Sequence, residues 1–378
     1  MGFTDASPTG PSTCMPADFE RQSAVLVGVN ELLPHHPHVL TGLVAALVER
    51  VPVIAVITGE EQRRDLLTTL CDWGLPAHRV RAVRSPAVGL WVRDYGPSFV
   101  KRDGRVCVLD AQSSAHPGRA EGDPFPTELA RLLGVEVRDV PIGVEGGNIL
   151  SNGRGLAITS TAPLKQNGHT QPASAVLRQL SHHYGLKSAA CLLPLVDAVT
   201  THSDMFATFT APDTLVIGRY DPADDPQNAA LLDRAAEAVR GMETGAGPLK
   251  VERIPMPTHA DGVWRTYTNV VYANDAVIVP TYAGVDERIE REALDTYRRL
   301  LPGRQVITVE STSLARTGGA LRCVTLNVPD LGHPMGLEDA LVPRPAASAA
   351  PARPSRLDAF VTSAGWYGPR RSVLHMEV

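Results

Sequence analysis

The sequence predicts an α/β fold, and two observations support this prediction. Short apolar segments rich in β-branched residues recur along the chain, as buried strands do. Between several of them lie longer segments whose apolar residues have helical spacing. Strands that alternate with helices over most of a chain favour an α/β architecture.

The elements follow in order from this pattern. The predicted strands are Ser23–Val29, Val51–Thr58, Val106–Ala111, Leu156–Ser160, Thr214–Tyr220, Ala276–Tyr282, Gln305–Glu310 and Cys323–Val328. The predicted helices are Val39–Arg50, Glu60–Trp73, Ala173–Tyr184, Gln227–Met242 and Asp286–Leu301. The last two helices mix acidic and basic side chains with Leu and Ala, which is typical of solvent-facing helices.

Glycine and proline fall mainly between these segments and mark turns, with one exception. Pro343–Ser355 is rich in proline and poor in large apolar residues, which indicates a linker. We therefore expect one domain over residues 1–335, followed by a linker and C-terminal tail over residues 336–378. Phe360, Trp366 and Tyr367 give the tail apolar side chains that could dock on the body.

Composition excludes several classes of protein. A formal net charge of -5 without a basic segment argues against a nucleic-acid binder. No apolar run is long enough to span a membrane, and no signal peptide is visible at the N-terminus. The five cysteines are odd in number and form no Cys-x-x-Cys pair, so we expect a cytoplasmic protein without a disulfide framework or zinc site.

His202-Ser203-Asp204 is the first of four motifs that could carry chemistry. It precedes an extended-looking run, and on a strand the side chains of His202 and Asp204 would share a face. Taken alone, the motif also fits two unrelated polar groups on a surface strand. No second histidine lies close enough in sequence to suggest a metal site.

Two further motifs place carboxylates beside turns. Asp94 lies in the run Trp91-Val-Arg-Asp94-Tyr-Gly-Pro97, where a functional carboxylate and a capping residue are both plausible. Glu145 opens Glu145-Gly-Gly-Asn148, whose paired glycines allow a close approach to a ligand or form a tight turn.

Cys323 closes the fourth motif, Arg316-Thr-Gly-Gly-Ala-Leu-Arg-Cys323. An unpaired cysteine at the start of an apolar strand is usually a small core residue. The preceding Gly-Gly favours open space above the thiol, so we expect Cys323 to be a nucleophile. No other cysteine has this setting, and packing or surface roles are expected for Cys14, Cys71, Cys107 and Cys191.

The other histidines are expected to be structural or solvated. Only His259-Ala-Asp261 repeats the His-x-Asp spacing, and its surroundings indicate a loop. Five others have no carboxylate two positions away: His35, His36, His169, His182 and His183.

The four motifs, in their order along the chain (Trp91–Pro97, Glu145–Asn148, His202–Asp204, Thr317–Cys323), resemble the guanidine-modifying pentein superfamily. The resemblance is greatest to the branch of bacterial peptidylarginine deiminases and agmatine deiminases. The opening Met15-Pro-Ala-Asp-Phe-Glu20 and the block Arg265-Thr-Tyr-Thr-Asn269 are similar to further parts of that branch. The resemblance spans about residues 15 to 330 and implies a five-bladed α/β propeller with pseudo-fivefold symmetry and a central active site.

The resemblance also implies roles for individual residues. Cys323 corresponds to the nucleophile, His202 to the general acid and base, and Glu145 to the carboxylate that orients the histidine. Asp94 and Asp204 correspond to the carboxylates that bind the guanidinium, and Trp91, Asn148 and Asn269 are assigned to the substrate pocket. His259 matches no catalytic position. The chain departs from the family at Arg322, where His is common, and at Thr201, where Gly is common.

The implied activity is hydrolysis of a guanidinium group to a ureido group and ammonia, without metal or organic cofactor. We expect Cys323 to add to the guanidinium carbon and His202 to protonate the leaving ammonia, leaving a covalent thiouronium intermediate. An amidinotransferase and a non-catalytic arginine-binding protein are the alternatives from other classes.

The substrate is the least specified part of this prediction. Tyr95 and the run Met205–Tyr220 favour the peptidylarginine side, whereas agmatine enzymes more often carry Thr at the position of Tyr95. We therefore predict arginine in a peptide or a related small guanidino compound, with agmatine as the alternative. No nucleic-acid or membrane partner is expected, and a homo-oligomer is left open.

Overall fold

The computed structural model describes residues 12–85, 89–112 and 124–335, which contain five separate sheets. Four of the sheets share one connectivity: an antiparallel pair of strands, then one or two helices, then a third strand parallel to the second. A helical crossover is the usual connection between parallel strands. The predicted linker at 343–355 and the tail to residue 378 lie outside the described residues.

The first part of the chain forms most of one sheet. The strand β1 (Thr13–Cys14) belongs to the next sheet, and the chain then continues through β2 (Gln22–Gly28), α1 (Val29–His35), α2 (Pro37–Leu47), β3 (Val53–Ile57), α3 (Glu60–Asp72) and β4 (Val80–Arg84). The strands β2, β3 and β4 run parallel. All of β3 is buried, as expected for a central strand of a parallel arrangement.

The second sheet follows with α4 (Val92–Tyr95), β5 (Ser98–Arg102), β6 (Arg105–Ala111), α5 (Phe125–Leu133) and β7 (Glu136–Val140). Asp103 and Gly104 form the turn between β5 and β6, and both have positive φ angles, of 48° and 78°. A two-residue hairpin with the right-handed strand twist needs this left-handed backbone.

The third and fourth sheets repeat the pattern. The third contains β8 (Ile149–Ser151), β9 (Leu156–Ser160), α6 (Ala162–Asn167), α7 (Ala173–Tyr184) and β10 (Ser188–Leu192). The fourth contains β11 (Ala207–Ala211), β12 (Thr214–Arg219), α8 (Pro226–Val239) and β13 (Lys250–Pro255). The side chain of Asp225 caps α8 by accepting a hydrogen bond from the N–H of Asn228.

The last strand of the described chain completes the first sheet. The fifth sheet contains β14 (Val271–Ala273), β15 (Ala276–Thr281), α9 (Glu287–Leu300) and β16 (Gln305–Glu310), and is followed by α10 (Thr312–Ala315) and β17 (Thr325–Pro329). The strand β17 pairs antiparallel with β2, with Leu326 opposite Leu26. The first sheet thus joins the beginning and the end of the described chain.

Each sheet and the helices that connect its strands form one unit of the fold. Helices of one unit pack on the sheet of the preceding unit. The contacts join α5 to β4, α7 to β1, α9 to β13 and α2 to β16. The third and fourth units contact each other through β8 and β11, and the contact of α2 with β16 connects the first unit to the fifth, so the five units form a closed cycle. In the part of the chain that the structure describes, no helix is both long and apolar enough to cross a lipid bilayer.

Most of the predicted elements are confirmed. Ala173–Tyr184 and Gln305–Glu310 have the predicted bounds, and the other predicted helices end within three residues of the observed ones. The predicted strand at Cys323–Val328 begins only at Thr325, because Cys323 lies in a turn that leads into it.

Candidate active site

The predicted site residues occupy the same place in successive sheets. Each lies in the segment directly before the first strand of an antiparallel pair: Asp94 before β5, Glu145 before β8, His202 and Asp204 before β11, Asn269 before β14 and Cys323 before β17. Because the five units form a cycle, five equivalent segments meet at one end of it. Side chains that are up to 229 positions apart in sequence are thereby brought together.

His202 lies between two carboxylates. Its Nε2 atom donates a hydrogen bond of 2.7 Å to Glu145 Oε2. Its Nδ1 atom lies 3.6 Å from Asp94 Oδ1. Glu145 is therefore in direct contact with the imidazole of His202.

His202 and Asp204 do not share one face of a strand, so this prediction is wrong. Ser203–Met205 is a 3-10 turn that ends before β11 begins. Three residues complete a turn in this conformation, so side chains two positions apart point in different directions. His202 accordingly faces Glu145, whereas Asp204 faces Arg322.

Burial and charge shift the proton affinities of this group. Burial alone would lower the pKa of His202, but Asp94, Glu145 and Asp204 raise it to about 9. Burial, together with the charges of Asp204 and Glu145, raises the pKa of Asp94 to about 6. The charge of His202 acts in the opposite direction and lowers this pKa. At neutral pH the imidazole is protonated and the Asp94 carboxylate is ionised.

Gly147 explains the second glycine of the Glu145-Gly-Gly-Asn148 motif. Its N–H donates a hydrogen bond of 3.0 Å to Asp94 Oδ1. A Cβ atom at this position would lie 2.4 Å from His202 Nδ1 and 2.9 Å from Asp94 Oδ1. Only glycine allows the backbone to approach both side chains. The next residue, Asn148, is buried, and its Oδ1 accepts a hydrogen bond of 2.6 Å from Ser160.

Cys323 lies beside Asn269, with only 3% of its surface exposed. Asn269 Nδ2 donates to Cys323 Sγ at 3.3 Å, and Asn269 Oδ1 accepts from the N–H groups of Arg322 and Cys323 at 2.8 and 3.3 Å. The amide of Asn269 thus fixes the turn that presents the thiol. Burial, and then the charges of Asp204 and Asp94, raise the pKa of Cys323 well above its ordinary value.

Asp204 is fully buried and forms an ion pair that the sequence did not predict. Arg322 Nη1 donates to Asp204 Oδ2 at 2.9 Å, and Arg322 Nε donates to Asp18 Oδ2 at 2.8 Å. Within residues 12–85, 89–112 and 124–335, no hydrogen-bond partner is found for Asp204 Oδ1. The replacement of the common His by Arg322 was the only sequence signal for this cluster.

Trp91 lies at the edge of the site. It is partly exposed, and a Cβ atom on Gly319 would lie 2.5 Å from its ring atom Cζ3. Gly318 has a φ angle of 100°, and a Cβ atom on it would likewise lie too close to the side chain of Val199. Val199 itself is 68% exposed. The two glycines of the Cys323 motif therefore pack against the rim of the site and give it a partly apolar edge.

The second His-x-Asp motif lies elsewhere. His259 Nε2 donates to Asp225 Oδ2 at 2.7 Å, and its ring stacks on Trp264 with the centroids 3.8 Å from each other. Both neighbours belong to the fourth unit and its following loop. The prediction that His259 is structural is confirmed.

Comparisons with known proteins agree with this geometry. The profile of the Porphyromonas-type peptidyl-arginine deiminase family matches residues 14–329. The agmatine deiminase of Medicago truncatula is 24% identical over 87% of this chain and 100% of its own length.

Solved structures show the same fold. The agmatine deiminase of Enterococcus faecalis has a TM-score of 0.72 at 21% identity, covering 84% of this chain and 96% of its own. The C. jejuni agmatine deiminase has a TM-score of 0.71 at 20% identity, covering 86% of this chain and 98% of its own. The predicted pentein propeller is thus confirmed. Since the family profile spans most of its length, the chain belongs to the Porphyromonas-type peptidyl-arginine deiminase family and is a guanidine deiminase.

Proposed function

We propose that the protein hydrolyses agmatine to N-carbamoylputrescine and ammonia. This is the alternative of the sequence prediction, and it replaces peptidyl arginine as the preferred substrate. The observation that carries it is the enclosure of the site: Asp94, Asp204, His202 and Cys323 are exposed by 9%, 0%, 7% and 3%. A small linear guanidine can be enclosed in this way, whereas a peptide needs an open groove for its main chain. The Medicago truncatula relative, named agmatine deiminase, supports the same choice.

The carboxylates account for recognition of the guanidinium group. Asp94 and Asp204 carry negative charge in a buried site, and charge-assisted hydrogen bonds to planar N–H donors are strong in such surroundings. Trp91, Asn148 and Asn269 complete the proposed substrate pocket. Trp91 would contact the alkyl chain at the rim, and Asn269 would hold the thiol in place.

Substrate binding also activates the nucleophile. The thiolate is the reactive form of cysteine, but burial, and then the carboxylates Asp204 and Asp94, disfavour it in the substrate-free site. A guanidinium cation bound between these carboxylates offsets their charge. The thiol of Cys323 then gives its proton to solvent water, and the thiolate adds to the guanidinium carbon.

His202 acts in both halves of the reaction. In the first half it donates a proton to the leaving nitrogen, the C–N bond breaks, ammonia departs and a cationic thiouronium intermediate remains on Cys323. In the second half His202 takes a proton from water as the oxygen adds to the same carbon. The C–S bond then breaks, the hydroxyl proton passes to the departing sulfur, and the ureido product leaves with the Cys323 thiol regenerated.

The test compares ammonia and ureido formation from agmatine, free arginine and blocked arginine peptides, without an added amine. We expect kcat/KM for agmatine to exceed that for the peptides by about tenfold or more. The reverse order would restore peptidyl arginine as the substrate. Ureido product without an amine acceptor also excludes an amidinotransferase, which needs such an acceptor to complete its turnover.

A further inference from the structure

We propose that Arg322 is a positioning residue for the deiminase reaction, holding one oxygen of Asp204 so that the other is presented to the substrate. The inference rests on the guanidine deiminase activity but not on the choice between agmatine and peptidyl arginine. It gives a function to Arg322, one of the two positions at which this chain departs from the family pattern.

The side chain of Arg322 is fixed from three directions. It is 3% exposed, and its guanidinium donates to Asp204 Oδ2 at 2.9 Å, to the carbonyl of Gly146 at 3.0 Å and to Asp18 Oδ2 at 2.8 Å. These partners come from three different units of the cycle. A planar guanidinium with several bonded N–H groups has little freedom to rotate, so Asp204 is held in one orientation.

This orientation determines what Asp204 can offer. Its Oδ2 atom is occupied by Arg322, so it cannot bind a substrate guanidinium through both oxygens. Among the residues that the structure describes, its Oδ1 atom is buried and has no hydrogen-bond partner. A buried carboxylate oxygen without a partner is unfavourable, and an N–H group of the substrate would satisfy it.

Arg322 also connects this carboxylate to the nucleophile. Its main-chain N–H donates to Asn269 Oδ1 at 2.8 Å, and Asn269 Nδ2 donates to Cys323 Sγ at 3.3 Å. One residue therefore fixes Asp204 through its side chain and the thiol-bearing turn through its backbone. The distance between the substrate carbon and the thiol depends on both.

The charges of the cluster support the same role. Around the site lie four carboxylates and three cations, if His202 is protonated: Asp18, Asp94, Glu145 and Asp204, with Arg93, Arg322 and His202. The excess is one negative charge, which one bound guanidinium neutralises. Without Arg322 the four carboxylates would face two cations, an excess of two negative charges, and part of this excess would be relieved by proton uptake rather than by substrate.

The test compares the pH profiles of kcat/KM for the wild type, Arg322→Gln, Arg322→Lys and Asp18→Asn. A buried carboxylate that loses its cation holds its proton more tightly, so Asp204 in Arg322→Gln should take up a proton at higher pH. The acidic limb of kcat/KM for this variant should therefore move up by about one pH unit or more. Arg322→Lys keeps the charge but not the planar fork, so its limb should stay in place while KM rises. Asp18→Asn leaves Asp204 as the one carboxylate paired with Arg322 among the described residues, so the acidic limb of this variant should move down.

A general loss of packing would lower kcat/KM at every pH without these opposite displacements. An unmoved limb in Arg322→Gln, or an upward shift in Asp18→Asn, would overturn the proposal. Should Arg322→Gln fail to fold, Asp18→Asn decides by the direction of its shift, since the Asp18 side chain is 27% exposed and tolerates substitution better.

The proposed deiminase function and the proposed role of Arg322 are tested by different results. A wild type that converts no guanidine would overturn that function, and Arg322 would then be tested by calorimetric titration with guanidinium chloride across the same pH range. Weaker binding to Arg322→Gln at low pH supports the positioning role, and equal binding to both proteins contradicts it.

Discussion

The imidazole of His202 is held at Nε2 by Glu145 at 2.7 Å, so Nδ1 is the ring atom left to exchange a proton within the site. Nδ1 lies 3.6 Å from Asp94, one of the carboxylates proposed to bind the guanidinium. The proton of the imidazolium is thereby directed toward the place where ammonia would leave. This relationship gives the first prediction.

Glu145→Gln should lower kcat and move its basic limb to lower pH. Carboxylates raise the pKa of His202 to about 9 against the effect of burial, so the loss of one of them lowers it again, by about one unit. The protonated acid is then lost at lower pH. The pH profile of kcat measures this. Glu252→Gln is the control, because Glu252 in β13 pairs with Arg299 in α9 and its loss should leave the limb unchanged.

Asp94→Asn should raise KM, lower kcat/KM by about a hundredfold or more, and remove an acidic limb near pH 6. The wild-type carboxylate has a pKa raised to about 6 by burial, so binding is lost as pH falls through that value and the carboxylate is protonated. Asparagine has a similar shape but neither charge nor titration. A profile identical to that of the wild type would show that Asp94 only supports the turn before β5.

Gly147→Ala should lower kcat by about tenfold or more while changing the melting temperature little, because the new Cβ atom displaces reacting side chains rather than core residues. The nearest atoms to this Cβ would be His202 Nδ1 at 2.4 Å and Asp94 Oδ1 at 2.9 Å. Gly303→Ala is the matched control, since a Cβ atom there would contact nothing within 4 Å. Full activity of Gly147→Ala would argue against the assigned geometry of His202.

Cys323→Ala should abolish ammonia release but leave agmatine binding measurable by calorimetry, because the carboxylates remain. Cys71→Ala should behave as the wild type, since Cys71 is exposed in α3. In the substrate-free wild type, iodoacetamide should modify Cys323 more slowly than Cys71, because burial and two carboxylates raise the pKa of Cys323. Turnover by Cys323→Ala would end the covalent mechanism.

The sequence predicted those features that depend on neighbouring residues. The bounds of α7 and β16 follow from local periodicity, which the packing of the fold does not override. The catalytic motifs were found from their order along the chain, and their convergence came from the family resemblance. Strand and helix alternation alone did not indicate a fivefold cycle.

The parts that were missed depend on distant contacts or on short irregular segments. Asp18 and Arg322 are 304 positions from each other, and nothing local predicts that their side chains meet. The 3-10 turn at Ser203–Met205 is too short to leave a periodic signal, so it was taken as part of a strand. Gly147 could have been found from its place between Glu145 and Asn148, but its contact with His202 could not.

The pairing of β17 with β2 has a consequence for synthesis of the enzyme. The turn that carries Cys323 leads into β17, and Leu326 of this strand pairs with Leu26 of β2, which is synthesised much earlier. The proposed acid–base residue His202 and its carboxylates likewise precede Cys323 in the chain. A copy whose synthesis stops before Cys323 therefore lacks the proposed nucleophile and cannot carry out the proposed reaction.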